Sequence, residues 1–496
     1  MLDTRINEYI VKLHDEIKKY KSLPVQIKAS VCFLICSFLQ KGISTITTPI
    51  FTRLLSAAEY GQYNTFNSWL SILTVFITLY LSAGVYSQGL VKFENERDVF
   101  SSSLQGLTLF LVVGWTLVYI LFHDFWNHLF SLTTVQTLAM LVMIWTSAVF
   151  SFWAAEQRVL YRYRALVALT IVVSIAKPVV GIVFVVLAED KVTARILGLV
   201  LVELVGYTGL FFQQVRRGKK LYSAKFWKYA IGFNLPLIPH YLSQNVLSSA
   251  DRIMISEMVG AEAAGIYSLA YSISLIMTLF NNALSQTISP WIYQKIKANK
   301  VTDIEPIAYT TLILIALVNI ILIAFAPEAV AVFAPKEYYE AIYVIPPVAM
   351  SVFFMYSYDL FSKFAFYYEK TKFVMIASVV GAALNILLNY IFIGKYGYIA
   401  AGYTTLVCYI AYAIGHYALM NKVCADYCNG VRPYKAKHIL QISVAFVLTG
   451  FALLFSYRIP AARYSLIIVM LIGVFTQRER ILYMIKSLVG MRKAKK

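Results

Sequence analysis

Residues 233–252 read Phe233-Asn-Leu-Pro-Leu-Ile-Pro-His240-Tyr-Leu-Ser-Gln-Asn-Val-Leu-Ser-Ser-Ala-Asp-Arg252, and the stretch runs on to Gly265-Ile266-Tyr267. The frame is apolar, yet His240, Gln244, Ser248, Asp251 and Arg252 recur at steps of three or four and share one helical face. A polar stripe on an otherwise membrane-compatible helix faces protein or water rather than lipid.

The whole chain shares that apolar frame. It has 496 residues, 59% hydrophobic and 14% charged, and a mean hydropathy of +0.68. Soluble proteins carry about 25% charged residues. Apolar runs near the ~20 residues needed to cross a bilayer recur from end to end. The fold class is therefore all-α, a polytopic membrane protein of about 14 transmembrane helices. Hydropathy places the spans near 28–52, 65–89, 104–123, 134–155, 165–188, 194–214, 232–257, 264–290, 307–332, 339–362, 373–394, 398–420, 438–457 and 460–476.

The net charge of +19 follows the positive-inside rule and does not point to nucleic acid. With the N-terminus inside, the cytoplasmic segments hold about 34 of the 44 Lys and Arg and the outer loops about 8. The basic loop Val215–Lys228 carries Arg216, Arg217, Lys219, Lys220, Lys225 and Lys228, whereas Phe122–Thr133 carries neither Lys nor Arg. An even number of spans puts both termini inside, in agreement with Arg492, Lys493, Lys495 and Lys496. Residues 3–21 place Ile6, Tyr9, Ile10, Leu13, Ile17 and Tyr20 on one face, opposite Lys12, Glu16, Lys18 and Lys19. That pattern predicts an amphipathic helix on the membrane surface rather than a cleavable signal.

The five cysteines show neither a disulfide framework nor zinc-ligand spacing. No metal or other cofactor is expected. The loops are short, and no G-x-x-x-x-G-K-[ST], H-E-x-x-H or G-x-S-x-G occurs. No catalytic residues are expected, and the chain is not read as an enzyme.

Two regions echo one another. Ala57-Ala-Glu-Tyr-Gly61-Gln-Tyr63 follows the first span, and Ala261-Glu-Ala-Ala-Gly265-Ile-Tyr267 follows the seventh. The echo implies two six-helix lobes plus two extra C-terminal helices, with substrate between the lobes. The expected domains are an amphipathic segment 1–24, an N-lobe 25–214, a basic linker 215–228, a C-lobe 229–422, and 423–496 with the last two spans and a basic tail.

Ionisable groups at membrane depth carry the chemistry that remains. Each costs roughly 2.5–3.5 kcal/mol at the centre of a helix in lipid. Lys41, Ser44, Thr45, Thr48 and Thr52 line one face of the first span, ending near Arg53; Pro49 is a kink site. Lys177 precedes Pro178, and Glu203 lies in the sixth span. Neither Lys41 nor Lys177 has an acidic residue within a turn. They line a wet cavity, or they snorkel, or one of them pairs with Glu203 across helices. Asp359 and Lys363 are spaced for a local ion pair. Asp251 with Arg252 is either functional or a structural pair, and His240 either functional or a satisfied buried histidine. Tyr356, Tyr358, Tyr367 and Tyr368 suit sugar rings or an interfacial belt. Asn281, Asn282, Gln286, Asn385 and Asn389 suit sugar hydroxyls or helix–helix ties.

Three motifs together resemble a known family. Pro49-Ile-Phe-Thr-Arg-Leu-Leu-Ser-Ala-Ala-Glu-Tyr-Gly-Gln-Tyr63 is similar to the segment after the first span of Wzx-type bacterial polysaccharide flippases. Asn234-Leu-Pro-Leu-Ile-Pro-His240, with Ser249-Ala-Asp-Arg252 and Gly265-Ile-Tyr267, resembles their seventh-span motif. Leu384-Asn-Ile-Leu-Leu-Asn-Tyr390 and Lys395-Tyr-Gly-Tyr-Ile-Ala-Ala-Gly402 resemble their eleventh-to-twelfth connection. The resemblance implies the polysaccharide branch of the multidrug/oligosaccharidyl-lipid/polysaccharide (MOP) exporter superfamily, with alternating access in the cytoplasmic membrane. It implies an undecaprenyl-pyrophosphate-linked oligosaccharide as substrate, membrane lipids as surroundings, and a polysaccharide polymerase and glycosyltransferases as candidate partners. A pyrophosphate crossing low dielectric needs cations. That role falls to Lys41, Arg53, Lys177 and Arg252, and coupling or gating to Glu203, His240, Asp251 and Asp359. The alternatives are a lipid II flippase or drug/cation antiporter of the same fold, and, from another class, a membrane polysaccharide polymerase.

Overall fold

The computed structural model describes residues 24–477. The expected surface helix 3–21 and the basic tail beyond 477 lie outside the described residues.

Every described element is helical, as apolar segments that must satisfy their own backbone hydrogen bonds require. The helices are α1 (Val25–Leu54), α2 (Ala57–Thr78), α3 (Val85–Lys92), α4 (Arg97–Leu121), α5 (His123–Phe130), α6 (Thr134–Val159), α7 (Tyr163–Leu187), α8 (Lys191–Gly218), α9 (Ala224–Asn234) and α10 (Ile238–Met258). They continue with α11 (Ala261–Ser274), α12 (Thr278–Lys297), α13 (Ile304–Ala324), α14 (Ala326–Phe333), α15 (Ile345–Tyr367), α16 (Thr371–Tyr396), α17 (Ile399–Tyr427), α18 (Ala436–Ser456) and α19 (Pro460–Thr476). Among the described residues nine helices are long and apolar enough to cross a membrane, and α15 with the bent 3-10 turn before it makes ten. The other expected spans fall on α1, α2, α9 with α10, and α19, where polar residues or short length dilute the signal.

Helix limits differ from hydropathy where local chemistry intervenes. The second span was expected from residue 65, but α2 starts at Ala57. Ser56 and Glu59 form a reciprocal cap: the Ser56 backbone N–H donates to Glu59 Oε2 at 2.7 Å, and the Glu59 N–H donates to Ser56 Oγ at 3.3 Å. The same span ends early, because Leu79 and Tyr80 take left-handed backbone conformations, with φ of 50° and 48°. The seventh span is broken at Leu235–Leu237, a 3-10 turn containing Pro236. The ninth breaks between α13 and α14 at Phe325, just before Pro327.

Contacts group the chain into two units. Unit one holds residues up to Thr47 and Leu73–Ile238; unit two holds Thr48–Ile72 and the chain from Pro239 onward. In unit one, α8 packs against α4, α6 and α7. The centre of an aromatic cluster is Tyr86, stacked on Phe100 at 5.7 Å and edge-on to Phe152 at 4.7 Å. Beneath it lies a polar web: Gln214 Nε2 donates to Glu156 Oε2 at 2.6 Å, Arg217 donates to Glu156 at 2.8 Å, and Gln105 Nε2 donates to Gln214 Oε1 at 2.7 Å.

In unit two, α15 and α17 form the broadest packing, with α16 on α17 and α13 on α15 and α18. The two echoed sequence motifs meet here. A Cβ built on Gly61 would lie 1.8 Å from the Ala261 carbonyl oxygen, and one on Gly265 would lie 2.0 Å from that of Ala57. Small residues four apart on each helix allow this backbone-to-backbone crossing of α2 and α11. The last turn of α1 is tied to α14: Thr52 Oγ1 donates to the Phe333 carbonyl at 2.6 Å and Arg53 to that of Val332 at 3.0 Å. Arg463, 5% exposed, forks onto Glu328 and anchors α19 to α14, with Tyr464 Oη donating to the same carboxylate at 2.7 Å.

Candidate functional site

In unit two, four helices converge on one carboxylate. Asp251 of α10 is 1% exposed. Its Oδ2 accepts from Tyr267 Oη of α11 at 2.6 Å and from Thr405 Oγ1 of α17 at 2.8 Å. Its Oδ1 accepts from Asn389 Nδ2 of α16 at 2.6 Å. Asn389 Nδ2 also donates to Asn385 Oδ1 at 3.3 Å, and Asn389 Oδ1 accepts from Thr404. Three donors occupy the oxygens of a carboxylate that burial has stripped of water. The groups that face the carboxylate are two hydroxyls and one amide N–H, with no soft ligand among them. Among the described residues no cluster of three or more His, Cys, Asp or Glu forms a metal centre.

Arg252 diverges from its neighbour. Its guanidinium lies 4.4 Å from the Tyr271 ring centroid, and Nη1 donates to the Ser248 carbonyl at 3.4 Å. The expected stripe on α10 is therefore split between a buried carboxylate and a partly exposed cation. His240 is half-buried; its Nε2 lies 3.3 Å from Gln244 Nε2, while Nδ1 has no hydrogen-bond partner among the described residues. Arg53 is exposed, and besides Val332 its guanidinium donates to the Pro49 carbonyl at 2.8 Å.

Asp359 and Lys363 of α15 form a 2.7 Å ion pair, as their spacing predicts. Ser285 of α12 closes the group, donating to Asp359 Oδ2 at 2.7 Å and accepting from Lys363 Nζ at 3.0 Å.

In unit one, Glu203 of α8 is 2% exposed. Lys177 Nζ of α7 donates to its Oε1 at 2.6 Å; Thr146 and Ser147 of α6 donate to Oε2 at 2.6 and 3.3 Å. Lys177 thus takes the interhelical pairing that its apolar surroundings left open, and its side chain stays 31% exposed. Lys41 is exposed. Among the described residues no carboxylate forms an ion pair with Lys41, Arg53 or Arg252.

Sequence reasoning singled out Asp251, Glu203 and Asp359 but not their full sets of partners. Ser285, Thr146, Thr404 and Thr405 look ordinary in sequence and become specific only through neighbouring helices. The Glu156–Arg217–Gln214–Gln105 web escaped notice; its one signal was a carboxylate, Glu156, on the last turns of an apolar segment.

Comparison with known proteins sets this arrangement in context. The family described as "Polysaccharide biosynthesis protein" matches residues 28–296, and the MatE family matches 236–391. The chain is 23% identical over 389 residues to the Lsg locus putative protein 1 of Haemophilus influenzae, covering 72% of this chain and 89% of that protein. It is 26% identical over 420 residues to an uncharacterized membrane protein of Methanocaldococcus jannaschii, covering 79% and 97%. Among solved structures, an inward-facing multidrug resistance MATE family transporter of the MOP superfamily is similar with a TM-score of 0.59 at 13% identity, covering 78% of this chain and 95% of that one. A Vibrio cholerae MATE transporter in a bent form gives 0.52 at 14% identity, covering 82% and 98%. These likenesses show the MATE-like fold.

Proposed function

Because this chain belongs to the polysaccharide biosynthesis protein family, a MOP-superfamily group of membrane transporters, we propose that it flips undecaprenyl-pyrophosphate-linked oligosaccharide repeat units across a bacterial cytoplasmic membrane. The polymer would be a capsule, an O-antigen or an exopolysaccharide. One observation supports the choice of an anionic lipid-linked substrate: Lys41, Arg53 and Arg252 are cations on α1 and α10, the helices of the expected first and seventh spans, and no carboxylate pairs with them among the described residues. Unpaired cations at membrane depth are costly unless water or an anion meets them. A pyrophosphate is such an anion, and Arg forks suit its oxygens. Lys177 belongs to the same set, with Glu203 as the partner it exchanges for substrate.

Coupling is assigned to Asp251. Its buried carboxylate ties four helices together, so binding a proton or a hard cation there would rearrange all four at once. Glu203, Asp359 and His240 are gating positions on the same reading. The lobes are proposed as 25–214 and 229–422, joined by the basic linker 215–228, with both termini in the cytoplasm. A polysaccharide polymerase and glycosyltransferases are the proposed partners. No covalent step is required.

The MatE match over 236–391 favours a second reading, drug/cation antiport. Deletion in the native organism separates the two. Flippase loss leaves complete lipid-linked repeat units on the inner face, and complementation by a K41A/R53A/R252A variant present at normal membrane levels fails. Drug sensitivity with normal lipid-linked sugars would point to the antiporter. Units that are accessible outside but unpolymerised would point to a polymerase.

A further inference from the structure

His416 lies in α17 and is 2% exposed, yet neither ring nitrogen has a hydrogen-bond partner among the described residues. Its ring sits against Tyr358 of α15 at 5.3 Å and Tyr412 of α17 at 5.2 Å between centroids. Tyr409 packs on the same two tyrosines, at 6.2 and 6.4 Å. A neutral imidazole carries one donor and one acceptor. Leaving both unmade is unfavourable, and a phenylalanine would fill the same aromatic niche without that penalty. A histidine here therefore needs a polar partner in some other arrangement of the helices.

The groups around it say which partner. From α15 come Tyr358 and the Asp359–Lys363 pair, and Asp359 is within electrostatic reach of the ring. From α17 come Tyr409 and Tyr412. On α16, the other helix packed on α17, no charged residue occurs between Lys372 and Lys395, and Gly381 meets Tyr412. Two tyrosine faces and one carboxylate suit a cation and offer little to an anion. The carboxylate is already shared between Lys363 and Ser285, so an imidazolium would compete for it.

We propose that His416 is a proton-binding site of unit two, filled when α15 and α17 loosen enough to hydrate the ring. The packed arrangement holds the neutral ring, because no group there accepts a hydrogen bond from an imidazolium N–H and the nearby carboxylate is already shared with Lys363 and Ser285. It is therefore fully favoured above the ordinary imidazole pKa of about 6.5 and weakened below it. Opening grows by up to about tenfold for each pH unit below that value, the limit for one proton. The inference rests on the packing of one unit and holds whatever the transported substrate.

Hydrogen exchange of the purified full-length protein in detergent tests it, with rates corrected for intrinsic pH dependence. Peptides covering 354–363 and 409–420 should open about fivefold more at pH 5.5 than at pH 6.5, with little change between 7 and 8. H416F should melt at or above the wild type and show no such pH response; H416Q, which keeps a polar side chain but cannot ionise, should be equally flat. D359N should move the response to lower pH by removing the carboxylate that favours the imidazolium. A flat wild-type profile, or an unchanged profile in both His416 variants, would overturn the proposal.

Discussion

Replacing Gly61 by alanine tests the crossing of α2 and α11. The added Cβ would sit 1.8 Å from the Ala261 carbonyl oxygen, 2.8 Å from the Gly265 nitrogen and 2.9 Å from the Ala261 carbonyl carbon. Ordinary contact begins near 3.4 Å, so the local gap must open by 3.4 − 1.8 = 1.6 Å. All three obstacles are backbone atoms, and no rotamer change relieves them. Overpacking of this kind costs about 1–3 kcal/mol, and the upper end is expected here because whole helix turns must separate. Tyr60, which packs edge-on to Tyr338 at 6.0 Å, would be displaced as well. G265A meets the Ala57 carbonyl oxygen at 2.0 Å and should cost about the same. Either change opens the same gap, so the double variant should fall short of additivity by about 1 kcal/mol or more. Gly209, where an added Cβ would meet nothing within 4 Å, serves as control, and G209A should gain up to about 1 kcal/mol from helix propensity. Thermal melting of the detergent-solubilised protein, followed by loss of the monodisperse chromatographic peak, reads all four. A G61A protein melting with or above the wild type would refute the close crossing.

Three further expectations follow from the same contacts. Lys177→Met strands the Glu203 carboxylate with two hydroxyls; a loss of about 2–3 kcal/mol is expected, below the usual buried-pair range because Lys177 is partly exposed, and K177M/E203Q should melt above K177M. Arg463→Ala removes the fork that holds α19 to α14, so limited proteolysis should cut within 457–477 faster than in the wild type while cleavage elsewhere is unchanged. A reporter inserted within 216–228 should register the cytoplasm and one within 124–132 the outside; the same sign at both would break the proposed orientation.

Hydropathy and charge made the architecture legible because a bilayer imposes length and apolarity on every span, whatever packs beside it. The motif resemblance also identified the superfamily, since the quoted stretches lie where the chain makes its close approaches, at Gly61, Gly265 and the Asp251 shell. Ser56-x-x-Glu59 is a helix-start signature in the sequence itself, and it places the beginning of α2 at 57, ahead of the hydropathy limit at 65.

Partner identity was different. Sequence marked Asp251, Glu203 and Asp359 as costly residues that need a reason, but their partners stand from 4 to 154 positions away along the chain. Nothing in the local pattern around Thr405, Thr146 or Ser285 distinguishes them from any other membrane-helix hydroxyl. Lys177 offered two readings from sequence, cavity cation or partner of Glu203, and only the side-by-side packing of α7 and α8 brings those two charges to 2.6 Å. The echo of Ala57–Tyr63 in Ala261–Tyr267 suggested a relation between two regions; tertiary structure alone brought the two helices into contact through their glycines. The order of residues alone was enough to show a helical membrane protein with ionisable groups inside, because solvation in lipid acts on each segment separately. Which of those charges are neutralised and which stay available was decided only by tertiary structure, because charge compensation depends on distances between helices, not along them.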